Sequence, residues 1–146
     1  MKIKNRLIVS LFLLACANAF AQTEPELFDK TLMAGVWAES VDTSPACDTN
    51  NLHNSFEFSD DGKTLVFKLD RPWKIATDKE VSQYSAKIIQ ESHHSLTIEY
   101  FDTADLPEDY PKEWDIIFVA DGVYRWKASS WPDAKVNSEV GIRCSK

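Results

Sequence analysis

Hydrophobic and polar residues alternate with a period of two through most of this chain, and turn residues interrupt the alternation about every ten positions. That pattern belongs to short strands with one face buried, since no helical period persists between the turns. The first strand spans about 35–40. A long polar loop over 42–51 follows, and a second strand over 53–59 carries Phe56 and Phe58 on either side of Glu57. Asp60-Asp61-Gly62-Lys63 turns the chain into a strand over 64–69, where Leu65, Phe67 and Leu69 share a face. Asp70-Arg71-Pro72 closes it. A fourth strand over 83–90 aligns Tyr84, Ala86 and Ile88, and a fifth over 95–101 aligns Leu96, Ile98 and Tyr100, with Glu91-Ser92-His93-His94 as the turn between them. Strands over 113–120 and 123–129 are joined through Asp121-Gly122, and an eighth lies at about 138–144. Ahead of them, Thr23-Glu24-Pro25-Glu26 has the form of a capping box, Leu27, Phe28, Leu32 and Met33 recur at helical spacing, and Gly35 is a stop. Short links between successive strands make a meander, and eight strands close a barrel wide enough for side chains or one small ligand. The expected fold is therefore all-β, an eight-stranded antiparallel up-and-down barrel with a short N-terminal helix.

The faces of those strands nominate an interior. A two-residue hairpin at Asp121-Gly122 sets Val119 opposite Tyr124 and Ile117 opposite Trp126, and this less charged set is assigned to the inside. Phe67, Tyr84, Tyr100, Tyr124 and Trp126 then line a cavity suited to an apolar or aromatic ligand, with Asp115 as a buried polar group that needs a partner. The competing reading is that these aromatics simply fill the barrel. Trp73 and Trp131 stand in Pro-flanked stretches and read as exposed contact residues.

Residues 1–21 lie outside this pattern. Met1-Lys2-Ile3-Lys4-Asn5-Arg6 is basic, Leu7 to Ala15 is apolar, and Ala19-Phe20-Ala21 is a small-x-small cleavage site, so a secretory signal peptide removed before Gln22 is expected. Leu13-Leu14-Ala15-Cys16 outlines a lipobox, and lipidation of Cys16 is the weaker alternative. The apolar run falls short of the ~20 residues that span a bilayer, so no transmembrane segment is expected. Removal leaves about 125 of the 146 residues, one barrel domain over 22–146 with a formal charge near −10. So acidic a chain is a poor partner for nucleic acid, which calls for a basic surface. Cys47 and Cys144 remain as a pair, read as one disulfide of an oxidising compartment, periplasmic or extracellular.

Catalytic and metal chemistry find little support. His53, His93 and His94 include no pair at ligand spacing, and neighbouring strand residues point apart. The serines lack a plausible base, no Gly-x-Ser-x-Gly elbow occurs, and four glycines are too few for a phosphate loop. Glu113 and Asp115 could pair for acid–base work, but spacing alone does not assign it. No enzyme activity, cofactor or metal is expected.

Gly35-x-Trp37, opening the first strand after a helix, with Arg143 on the last strand, resembles the calycin group, the lipocalins and their small barrel relatives. The resemblance implies a barrel whose base is closed by Trp37 with the Arg143 guanidinium stacked on it, Gly35 letting the chain enter tightly. Ala38-Glu39-Ser40 lacks the polar pattern that avidin-like barrels use, so biotin is not expected. The function this implies is a secreted or periplasmic, non-catalytic binding protein for a small hydrophobic or aromatic ligand. The alternative, motivated by the acidic charge and the loops over 42–51, 103–112 and 129–137, is an inhibitor or immunity-type protein that binds a basic enzyme.

Overall fold

A computed structural model describes residues 27–40, 45–74, 79–101 and 108–145. The signal-peptide segment and the capping box at Thr23–Glu26 lie outside the described residues.

Eight antiparallel strands follow one another around a closed barrel: β1 (Val36–Ser40), β2 (His53–Phe58), β3 (Thr64–Lys74), β4 (Glu80–Ser92), β5 (Ser95–Tyr100), β6 (Glu113–Ala120), β7 (Val123–Ala128) and β8 (Val140–Ser145). Each strand pairs with its neighbours in sequence, and β8 returns to β1 through Trp37 opposite Arg143 and Glu39 opposite Gly141. Closure removes the exposed edges that an open sheet would present. The alternation read from β2 to β5 is seen in the fold: Leu65, Phe67, Ala86, Leu96 and Ile98 are fully buried, and charged residues such as Lys68 and Lys87 point outward. The inner faces of opposing strands are what the barrel has for a core.

Three elements differ from the sequence reading. The N-terminal helix is a single 3₁₀ turn, Lys30–Met33, capped by Asp29, whose carboxylate accepts from Thr31 N at 3.0 Å. Strand β3 does not stop at Asp70 but continues through Pro72 to Lys74, with a register irregularity between Lys68 and Trp73 that accommodates the missing N–H. In β6 a bulge between Phe118 and Ala120 leaves Val119 without a partner, so Phe118 lies opposite Tyr124 and Ile116 opposite Trp126. A single inserted residue reverses the faces of the whole strand. Val119 and Ile117 are therefore on the outside, and Trp114, Ile116 and Phe118 are inside.

The 3₁₀ turn plugs one end of the barrel. Phe28 and Met33 are buried against it, with the Phe28 ring 5.6 Å from Phe118. Gly35 then takes φ +109°, a left-handed conformation that side chains disfavour, and turns the chain into β1. Trp37, fully buried, donates its indole N–H to Met33 O at 3.0 Å. The Arg143 guanidinium lies 4.8 Å above the Trp37 ring and donates to Leu32 O and to Asp121 Oδ1, each at 2.7 Å. One cation thus ties the plug, β1, β8 and the β6–β7 turn together. A disulfide between Cys47 and Cys144 fastens the loop ahead of β2 to β8 at a sequence separation of 97. It removes loop entropy from the unfolded chain.

The Arg143 side chain is only 8 % exposed, so truncating it leaves Leu32 O without its donor under the barrel. Arg143→Ala is expected to cost about 2–4 kcal/mol in urea unfolding. Arg143→Lys should recover only part of this, because an ammonium cannot donate as a fork while stacking on the indole. An unchanged unfolding midpoint for Arg143→Ala would contradict the closure.

Candidate functional site

Away from the plug the described residues of the barrel surround a cavity. The strands there deliver aromatic side chains from their far ends: Tyr84 from β4, Tyr100 at the end of β5, Trp114 at the start of β6 and Trp126 from β7. With Tyr110 from the loop ahead of β6 and Trp73 at the end of β3, they line a cavity of about 340 Å³. That is within the range of small-molecule pockets, at its lower end. The rings brace one another at fixed angles. Tyr84 stacks on Phe67 with centroids 4.3 Å apart, Trp114 meets Trp126 edge-on at 6.2 Å, and Trp131 buttresses Trp114 at 5.5 Å. Such pairs hold each other's rotamers, so the cavity wall is largely pre-formed.

A carboxylate forms part of that wall. Glu39 follows Trp37 by two residues on β1 and so shares its inward face. Its Oε1 accepts from Tyr124 Oη and from Trp126 Nε1, each at 2.7 Å. A close approach between strands makes this possible. A Cβ at Gly141 would lie 2.1–2.4 Å from the Tyr124 ring, so only glycine opposite Tyr124 lets that ring lie across β8 and reach Glu39. Asn54 is also buried in the cavity wall, and its Oδ1 has no hydrogen-bond partner. Glu139 stands with Asn137 and Lys74 among the other polar residues lining the cavity.

Burial sets the electrostatics. It pushes the Glu39 carboxyl above its ordinary value of 4.5; the Trp126 and Tyr124 donors oppose this, and the charge of Glu139 reinforces it. Burial likewise raises the phenols of Tyr84, Tyr100 and Tyr124, with the Glu39 charge adding to each. The tyrosines of the cavity are therefore neutral donors and ring faces throughout the physiological range.

The residues nominated from the sequence separate into three groups. Tyr84, Tyr100 and Trp126 line the cavity. Phe67 and Tyr124 are fully buried behind it, Phe67 supporting Tyr84 and Tyr124 holding Glu39. Asp115 is not in the cavity. The β6 bulge places it on the outer face, where the hydroxyls of Thr97 and Ser129 donate to it at 2.8 and 3.0 Å. Trp131 is not an exposed contact residue either: it packs on the core, with the Lys135 ammonium 4.0 Å from its ring centroid. Trp73 is half exposed, at the cavity and not in a loop. Sequence reading missed Glu39, Asn54, Trp114 and Tyr110. Glu39 and Trp114 were accessible to it, the first from its spacing to Trp37 and the second from its spacing to Ile116, had the bulge been placed.

Among the described residues no group of His, Cys, Asp and Glu could hold a metal ion, and no helix is long and apolar enough to cross a membrane. His93 and His94 form the β4–β5 turn, with ring centroids 4.3 Å apart, and His53 pairs with Asp70 at 3.1 Å on the outside of the barrel. Comparison of the chain with protein-family models, with curated proteins and with solved structures finds no match in any of the three.

The raised Glu39 carboxyl makes stability depend on pH with a definite sign. Below pH 4.5 the proton is held in folded and unfolded chains alike, and the group imposes no ionisation penalty. As pH rises through the elevated folded value, the native state must ionise a desolvated carboxyl, and stability falls. Glu39→Gln keeps an acceptor for Tyr124 and Trp126 and removes the titration. Melting curves of the two proteins should therefore run parallel below pH 4.5 and diverge above it, the wild type losing ground. Curves that stay parallel from pH 4 to 8 would contradict the assignment.

Proposed function

We propose that this chain is a secreted or periplasmic, calycin-like binding protein that holds a small aromatic or apolar molecule in the cavity end of its barrel and carries out no chemistry on it. The observation that carries the reading is the cavity of about 340 Å³ walled by Tyr84, Tyr100, Tyr110, Trp73, Trp114 and Trp126. A barrel whose aromatics served only as core would collapse them on one another to interior density. Here they are braced from behind by Phe67 and Trp131 and leave a space between them. The calycin-like assignment is supported by the closure at the other end, where Gly35, Trp37 and Arg143 join plug, first strand and last strand. Export is supported by the basic and apolar segment ahead of Gln22 and by the Cys47–Cys144 bridge, which suits an oxidising compartment.

N-phenyl-1-naphthylamine, an uncharged dye that brightens in apolar surroundings, tests the reading. It should bind the purified, disulfide-intact protein one to one, with energy transfer from the cavity tryptophans on excitation of indole. Fluorescence no higher than with an equal mass of unfolded, reduced chain, together with no heat of phenethylamine binding in calorimetry, would sink the binding-protein proposal.

A further inference from the structure

The wall of the cavity offers more than a neutral guest can use. Glu39 offers a carboxylate there, and both of its protein donors, Tyr124 Oη and Trp126 Nε1, meet the same oxygen, Oε1. Among the described residues no Lys, Arg or His forms an ion pair with it. An apolar molecule seated over Glu39 would strip water from a carboxylate and return nothing, a costly arrangement. Asn54 adds a neutral polar side chain to the same wall. A second carboxylate, Glu139, lines the same cavity, and among the described residues of the lining Lys74 is the one cation against the two carboxylates. The aromatic rings present the matching surface for positive charge, because their faces are electron-rich and Tyr84, Tyr100, Trp114 and Trp126 converge on one space.

We infer that the ligand is a small organic cation, a protonated amine whose ammonium group sits against Glu39 and whose carbon skeleton lies among Tyr84, Tyr100, Trp114 and Trp126. This rests on the binding-protein reading and narrows it to a chemical class. The ammonium donates to the Glu39 carboxylate. Its charge also relieves the repulsion that Glu139 exerts on Glu39, which burial already disfavours as an anion. The hydrocarbon part takes the apolar area that the rings offer. Selectivity over a neutral isostere follows from the same geometry, because a guest that leaves the carboxylate unpaired binds more weakly.

Phenethylamine and 2-phenylethanol, which match in size and differ in the charged group, distinguish the possibilities when each is titrated against the dye complex at pH 7. Displacement by the amine at concentrations at least about tenfold lower than by the alcohol is the expected result. Glu39→Gln should remove most of the amine's advantage over the alcohol; Glu139→Gln should reduce it less, and less still at high salt. Equal displacement by both, displacement by the alcohol alone, or displacement by neither would overturn the cation assignment while the dye complex still stood as a binding site. Failure of the dye itself to bind, with no heat of phenethylamine binding in calorimetry, would overturn both readings.

Discussion

The Arg143 guanidinium over the Trp37 indole is the interaction on which the rest of the barrel depends. A meander of eight strands closes only when its last strand meets its first, and the β1–β8 seam is where sequence-distant segments have to find register. Arg143 lies directly opposite Trp37 in that seam and also reaches the plug through Leu32 O and the β6–β7 turn through Asp121. Its position therefore fixes the seam, the end of the barrel and the depth of the 3₁₀ turn together. Cys144, the next residue, is bridged to Cys47, so the same stretch of β8 is held covalently as well.

Sealing one end decides what the other can be. With Trp37 filling the base, period-two alternation brings Glu39 to the inside one step further up β1, and Gly141 opposite it leaves the Tyr124 ring room to lie flat and donate to the carboxylate. The seam thus passes from a buried cation on an indole at the closed end to a desolvated carboxyl held by a phenol and an indole at the cavity. Trp37 also touches Tyr124, with ring centroids 5.1 Å apart, so the two halves share a wall. A change at the closure would reach the cavity through that contact.

Most of the fold was legible because alternation is a strong signal when one face of every strand is buried. Phe56 and Phe58, Leu65 and Phe67, Tyr84 and Ala86, and Leu96 and Ile98 all face inward as their spacing requires. The trio Gly35, Trp37 and Arg143 was legible for a different reason: Gly-x-Trp opening the first strand, with an arginine on the last, resembles the closure of calycin barrels, and a guanidinium stacked on an indole is a physically sound way to make it. What was not legible came from one residue of register. The Val119 bulge leaves no mark in composition, and without it β6 is read in the wrong phase, which put Asp115 inside and left Trp114 unnoticed. Glu39 escaped for a related reason, since a charged residue on an inward face runs against the burial rule and is explained only by the donors that Tyr124 and Trp126 bring from elsewhere in the chain.

The division of the barrel into a sealed end and a cavity end can be tested directly in the indole N–H signals of a nitrogen-15 correlation spectrum recorded during a phenethylamine titration. Trp114 and Trp126 line the cavity and Trp37 is buried beneath the plug, so the three report on different ends of the molecule. The Trp126 signal should move most, since its N–H shares Glu39 Oε1 with Tyr124, and Trp114 should follow, while Trp37 stays in place. A spectrum in which Trp126 is unmoved at saturating amine, or in which Trp37 moves as far as Trp126, would contradict the account.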